Sequence, residues 1–282
     1  MHEGRPSLTA FATARARAFH QIADEPRIFT DPLAVRITGF PPEEVRETDT
    51  DTTEQALWQQ RRRIFLAGRA RFAEETIAAA VDQGATQVVV LGAGLDTFAY
   101  RNPYSSVRVF EVDHPATQAW KRTLLTEVGI DIPPTMAFVP VDFETRTVSE
   151  GLAAAGFARS QPAVFVWLGV TMYLDRETVL STLRAIAAQD AWVQVVFDYI
   201  TIPEQADAKA AFQTRADRVA AAGEPWLSFF TAEEIRKELG EIGYEVEDFT
   251  GNEVLARYLP PESPNVSDTH APPHIVRAVR SQ

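Results

Sequence analysis

Gln87 to Arg101, QVVVLGAGLDTFAYR, constrains the fold more than any other stretch of the chain. Val88, Val89, Val90 and Leu91 form an unbroken apolar run, mostly β-branched, which suits a parallel strand buried on both faces. Gly92-Ala93-Gly94 then makes a turn tight enough to bring bare backbone against a ligand, and Asp96-Thr97 open what reads as a helix. A buried strand, a glycine turn and a helix start are the parts of a nucleotide-type site at the carboxyl end of an open sheet.

Two features argue against a dinucleotide. The full G-x-G-x-x-G fingerprint needs glycine at position 97, where Thr97 stands, so the pyrophosphate cradle is incomplete. Asp96 also places an anion where a phosphate would want amide hydrogens and positive potential. A ligand with cationic groups and no phosphate fits better, and S-adenosylmethionine, with its sulfonium and ammonium, is one. A nicotinamide dehydrogenase is the rival enzyme reading, disfavoured by the same two residues.

Composition narrows the class further. With 282 residues the chain can bury a sizeable core, and 45% hydrophobic with 23% charged residues suits a soluble globular protein. A formal charge of −12 repels phosphate backbones and anionic bilayers, so neither nucleic acid nor a membrane is an expected partner. The absence of cysteine removes disulfides, thiolate metal sites and thiol nucleophiles, and no metal site is expected. No signal peptide or membrane-length apolar run stands at the amino end, which makes the cytoplasm the expected location.

Along the chain, Leu8 to Ile22 reads as an alanine-rich helix, and Asp31-Pro32 as the cap and first residue of another. Thr38 to Thr53, with Gly39, Pro41, Pro42 and an acidic run, reads as an exposed loop and a candidate lid. Leu57 to Val81 carries Leu57, Ile64, Phe65, Phe72, Ile77 and Val81 at helical spacing, and Gly84 stops it. From Gln87 strand and helix alternate. Strands are expected at 107–112, 136–141, 163–168 and 191–197, with helices at 116–128, 148–157 and 177–188 between them. This order predicts a mostly parallel sheet covered on both faces. Helices at 204–222 and from Thr231 to about Gly240 follow. Strands at 244–249 and 274–279, joined through the proline-rich 260–273 loop, could form an antiparallel edge. The domain division expected is an amino-terminal helical cap over residues 1–83 and one compact unit over 84–282.

The strand ends carry the candidate chemistry. Glu111 lies about 20 residues past the glycine turn, the spacing at which an acid reaches ribose hydroxyls, and Asp113 follows two positions on. Asp142 could accept from an adenine amino group while Phe143 covers the ring; a helix cap serves Asp142 equally well. Trp226, Phe229 and Phe230 could line an apolar substrate pocket or pack in the core.

LGAGLDTFAYR, FEVDHPATQAWKR, VPVDFE, WLGVTMYL, GEPWLSFFTAEEI and the early TDPLA, in this order, resemble the leucine carboxyl methyltransferase family. The similarity runs from about residue 10 to 280 and points to its bacterial branch of S-adenosylmethionine-dependent methyltransferases, which includes polyketide carboxyl O-methyltransferases. The resemblance implies a class I methyltransferase fold, a Rossmann-like and mostly parallel seven-stranded sheet, with amino-terminal helices closing over the cofactor. It places Arg69 on the cofactor carboxylate and Arg17 as a second basic residue. It puts Gly92, Ala93 and Gly94 at the turn, Asp113 and Glu111 at the ribose, and Asp142 with Phe143 at the adenine. Leu168, counted with the cofactor-binding residues, stands where the protein-methylating members carry a glutamate, a departure that bears on the cofactor contact there and speaks against a phosphatase carboxyl terminus as acceptor.

The expected reaction is O-methylation of a small molecule by in-line displacement. A carboxylate is already ionised at neutral pH and needs no base, whereas a phenol does. His20, Tyr173, Asp198 and Tyr199 are the candidates for such a base. The alternatives are a protein carboxyl methyltransferase and a protein that binds S-adenosylmethionine without turning it over.

Overall fold

A computed structural model describes residues 7–39, 54–142, 147–221, 223–261, 263 and 273–281. The candidate lid beyond Gly39, and Phe143, lie outside the described residues. Five strands run parallel: β1 (Gln87–Leu91), β2 (Arg108–Asp113), β3 (Met136–Pro140), β4 (Ala163–Trp167) and β5 (Val193–Tyr199). β6 (Glu245–Thr250) and β7 (His274–Arg280) complete a seven-stranded sheet in the order β3-β2-β1-β4-β5-β7-β6. The last strand in the chain is inserted between β5 and β6 and is antiparallel to both. The antiparallel edge read from the sequence is therefore present, with β7 inside it.

All five residues of β1 are buried, as an apolar run without alternation requires. Their side chains still alternate. Val89 and Leu91 join one core with Phe110, Phe165, Trp167 and Phe197, while Val88 and Val90 join the other with Val109, Val164 and Val166.

The helices are α1 (Leu8–Ala23), α2 (Pro32–Thr38), α3 (Glu54–Asp82), α4 (Phe98–Arg101), α5 (Pro115–Glu127), α6 (Val148–Ala154), α7 (Arg176–Ala187), α8 (Ala206–Ala221), α9 (Ala232–Ile242) and α10 (Gly251–Leu255). At 29 residues α3 is roughly 43 Å long, and Phe72, Ala73 and Ile77 press its apolar side on the second core. Asp31 caps α2 through the Ala34 amide at 3.1 Å, with Pro32 at the first helical position.

Some local expectations shift. Asp96 and Thr97 stay in the turn, and the helix there is the four-residue α4. Asp96 Oδ1 accepts the Phe98 amide at 2.8 Å, which holds the chain in the turn for two further residues. α9 runs past Gly240 to Ile242, where Gly243 adopts φ 95° as its left-handed cap. α10 was not foreseen, although Thr250 and Glu253 form a full capping box at its start.

Candidate active site

The strand order reverses between β1 and β4, and crossovers leaving a sheet in opposite directions open a crevice at the strand ends. A cavity of about 510 Å³ lies there, lined by the ends of both strands, the glycine turn, α3 and the start of α1. Its size suits one nucleoside-type ligand with an acceptor beside it.

Gly92, Ala93 and Gly94 form its floor. Asp113, the last residue of β2, accepts the Gly94 amide at 2.5 Å and the His114 amide at 2.7 Å. Burial pushes its carboxyl up from the ordinary value, and those two backbone bonds pull it back. The turn and its acid are thus one rigid unit. Gly94 has φ 45°, and a Cβ there would meet the Cβ of Ala10 at 2.9 Å, so α1 lies directly over the turn.

Arg69 enters from α3. Its Nη1 donates to Asp198 Oδ2 at 2.5 Å, while its buried Nε has no partner among the described residues. The other Asp198 oxygen accepts the Gly169 amide at 2.5 Å, and Asp198 is fully buried. Gly169, at φ 71°, leaves room for the guanidinium, since a Cβ there would stand 3.1 Å from Nη1. Arg17 also lines the cavity, but Nη2 donates to the Leu95 carbonyl at 2.7 Å and Nε lies 3.2 Å from Asp31, so its charge is spent on holding the glycine turn. Asp96, Asp142 and Leu168 line the cavity as well.

Several expected site residues fall elsewhere. Glu111 does not line the cavity. It is 1% exposed and accepts from Lys121 Nζ at 2.7 Å and the Tyr100 hydroxyl at 3.1 Å: it shares the strand face of Asp113 but lies two residues back from the strand end, under α5. Asp198 positions Arg69 and is not available as a base. Tyr199 is buried against His274, its hydroxyl donating to Asp248 at 2.9 Å. His20 is fully enclosed between Asp24, at 3.0 Å, and the Phe29 amide, at 3.3 Å. Phe230 packs in the main core, and Trp226 and Phe229 pack on Phe212, so none of the three lines the cavity.

Tyr173 alone of the four base candidates lines the cavity. Burial raises its phenol above the ordinary value, and Glu224 adds to this, so it carries its proton at neutral pH. Sequence reasoning missed His114 and Glu224. His114 follows Asp113 and caps α5, its Nδ1 accepting the Ala116 amide at 3.2 Å, which leaves the proton of the neutral ring on Nε2. Its place between a strand-end acid and Pro115 was the available signal. Glu224 accepts from the hydroxyls of Ser7, at 2.9 Å, and Thr9, a pairing 215 residues apart that no local pattern announces.

The model of the family described as leucine carboxyl methyltransferase matches residues 10–187. Over 268 residues, 86% of this chain and 88% of the relative, the chain is 33% identical to the Bacillus subtilis protein named Putative S-adenosyl-L-methionine-dependent methyltransferase YktD. This chain belongs to the leucine carboxyl methyltransferase family. Among solved structures, a DUF574 family protein from Streptomyces avermitilis superposes with TM-score 0.58 at 16% identity, covering 95% of this chain and 97% of the other. Magnesium protoporphyrin IX methyltransferase from Synechocystis, solved with bound SAH, gives TM-score 0.50 at 14% identity over 88% and 96% of the two chains. The class I methyltransferase fold is thus shared well outside the family.

Proposed function

We propose that this protein is an S-adenosylmethionine-dependent methyltransferase that esterifies the carboxylate of a small molecule. The residues present fit the cofactor. Arg69, whose buried Nε has no partner among the described residues, would hold its carboxylate, Asp113 its ribose hydroxyls and Asp142 its adenine amino group. Asp96 supplies the negative field that a sulfonium and an ammonium need. When bound, the cofactor supplies an electrophilic methyl: a carboxylate lone pair forms the new C–O bond as the C–S bond breaks and its electrons pass to sulfur, giving neutral ester and neutral thioether with no proton transferred.

The observation that favours a carboxylate is that the possible bases among the described lining residues are committed: Glu74 is paired with Arg101, Asp96 accepts the Phe98 amide, and Asp113 and Asp142 are taken by the cofactor in this reading. Tyr173 keeps its proton, His114 spends its Nδ1 lone pair on Ala116, and Glu224 is held by two hydroxyls. Asp175 caps α7, and its bonds to Thr178 hold its carboxyl below the usual range, leaving a weak base. A carboxylate needs none of them, so the chain's contribution is positioning and the exclusion of water by α1. Residues 1–83 act in this reading as the cap.

The test incubates the protein with methyl-labelled S-adenosylmethionine and a panel of aryl acids, fatty acids and phenols. The expected product releases labelled methanol in mild alkali. Label in an alkali-stable ether or amine would overturn the carboxylate reading, and absence of binding in calorimetry with S-adenosylmethionine would overturn the cofactor reading.

A further inference from the structure

Leu66, Arg69, Ala70, Ala73 and Ile77 of α3 line the cavity at spacings of three and four, one stripe along the helix. Arg62 lies four residues before Leu66 and seven before Arg69, so it continues that stripe one turn beyond the last lining residue. It is half-buried and lies near both the Arg69 guanidinium and the Tyr173 hydroxyl. Arg69 has Asp198 and Arg17 has Asp31, but no ion pair or hydrogen bond joins Arg62 to any described residue. Glu224, the acid at this end of the cavity, is taken by the Ser7 and Thr9 hydroxyls instead. An uncompensated, partly desolvated cation is unfavourable unless an anion arrives to meet it.

We propose that Arg62 is the specificity residue that receives the acceptor's carboxylate, so that the site selects anionic acceptors. This rests on the carboxyl-methylating reading above. The roughly 10 Å between residues 62 and 69 along the helix axis leaves room for two anions, the cofactor's at Arg69 and the acceptor's at Arg62. Burial, with the neighbouring Arg69 charge, lowers the Arg62 guanidinium from its ordinary value, which is the expected state of a cation lacking its counter-ion. Tyr173, which lines the cavity and whose protonated hydroxyl also meets Thr9 and Trp226, would be the second donor to that carboxylate. Esterification removes the acceptor's charge, so Arg62 loses its partner at the moment of product formation and the ester is released.

The test is calorimetry with benzoate and octanoate as probes, and their methyl esters as neutral controls, on wild type, Arg62→Met and Arg62→Lys, with S-adenosylmethionine titrated separately into each. Wild type is expected to prefer acid over ester by about tenfold or more, the scale of one charge-assisted hydrogen bond. Arg62→Met loses that preference, Arg62→Lys regains part of it, and both keep wild-type affinity for S-adenosylmethionine. Equal acid binding by wild type and Arg62→Met, no acid preference in wild type, or a loss of cofactor affinity in Arg62→Met would overturn the proposal. Wild type failing to take up S-adenosylmethionine would strike the underlying reading of the site instead. Thermal unfolding of each variant verifies the fold, which Arg62, having no partner among the described residues, should not affect.

Discussion

Arg69 owes its place to two residues about 100 or more positions away in the chain. Asp198 grips one nitrogen, and Gly169 leaves the space in which the guanidinium lies. In Asp198→Asn the oxygen can still accept the Gly169 amide, but an NH₂ would then face a guanidinium that also only donates. Breaking a buried pair of this kind costs about 3–5 kcal/mol of stability. Losing the orientation of Arg69, on the scale of one hydrogen bond to a charged group, should weaken S-adenosylmethionine by roughly 10–100-fold, read by calorimetry below the lowered unfolding temperature. Unchanged affinity would show that Arg69 is not the cofactor's arm. Residue by residue, the sequence was most legible where a role follows from position on a strand. Asp113 and Asp142 stand at strand ends and reach the cavity, and so does the glycine turn. His20, Asp198 and Tyr199 were plausible bases by residue type, but burial and their partners decide that they are not available, and neither can be seen locally.

α1 reaches the site by lying on the glycine turn, with Ala10 against Gly94 and Ser7 and Thr9 tied to Glu224. In Gly94→Ala the new methyl would press on Ala10, and the left-handed backbone would cost about 1–2 kcal/mol besides. Weaker cofactor binding is expected. Adding Ala10→Gly should restore the share lost to contact while leaving the backbone share, although glycine inside α1 costs about 1 kcal/mol in helix stability. Calorimetry on the single and double variants separates the two; no recovery in the double variant would mean that α1 does not cover the turn in solution. Most elements were readable because strands buried on both faces give unbroken apolar runs and helices carry caps. α4 was misjudged since Asp96, a residue that often opens a helix, here bonds two residues ahead and delays it. α10 was passed over because five residues carry too little periodicity to register.

Over the whole molecule, the cavity gathers residues from α1, α3, the ends of β1, β2 and β4 and the segment before α9. A ligand seated there binds only the folded chain. At a concentration 100 times its dissociation constant, S-adenosylmethionine should stabilise by about 2.7 kcal/mol. A protein of this length then unfolds roughly 4–6 °C higher, and a shift produced by NAD but not by S-adenosylmethionine would refute the choice of cofactor. By itself the sequence determined that five strands alternate with helices into a parallel sheet, that a glycine turn follows the first, and that an acid ends the second and another stands just past the third. These are local properties, set by side-chain periodicity and backbone freedom within a few residues. Which acid faces the cavity, which arginine is paired and which has no counter-ion among the described residues, and the laying of α1 over the turn were decided only in three dimensions, because each depends on a partner that folding brings from tens to hundreds of residues away.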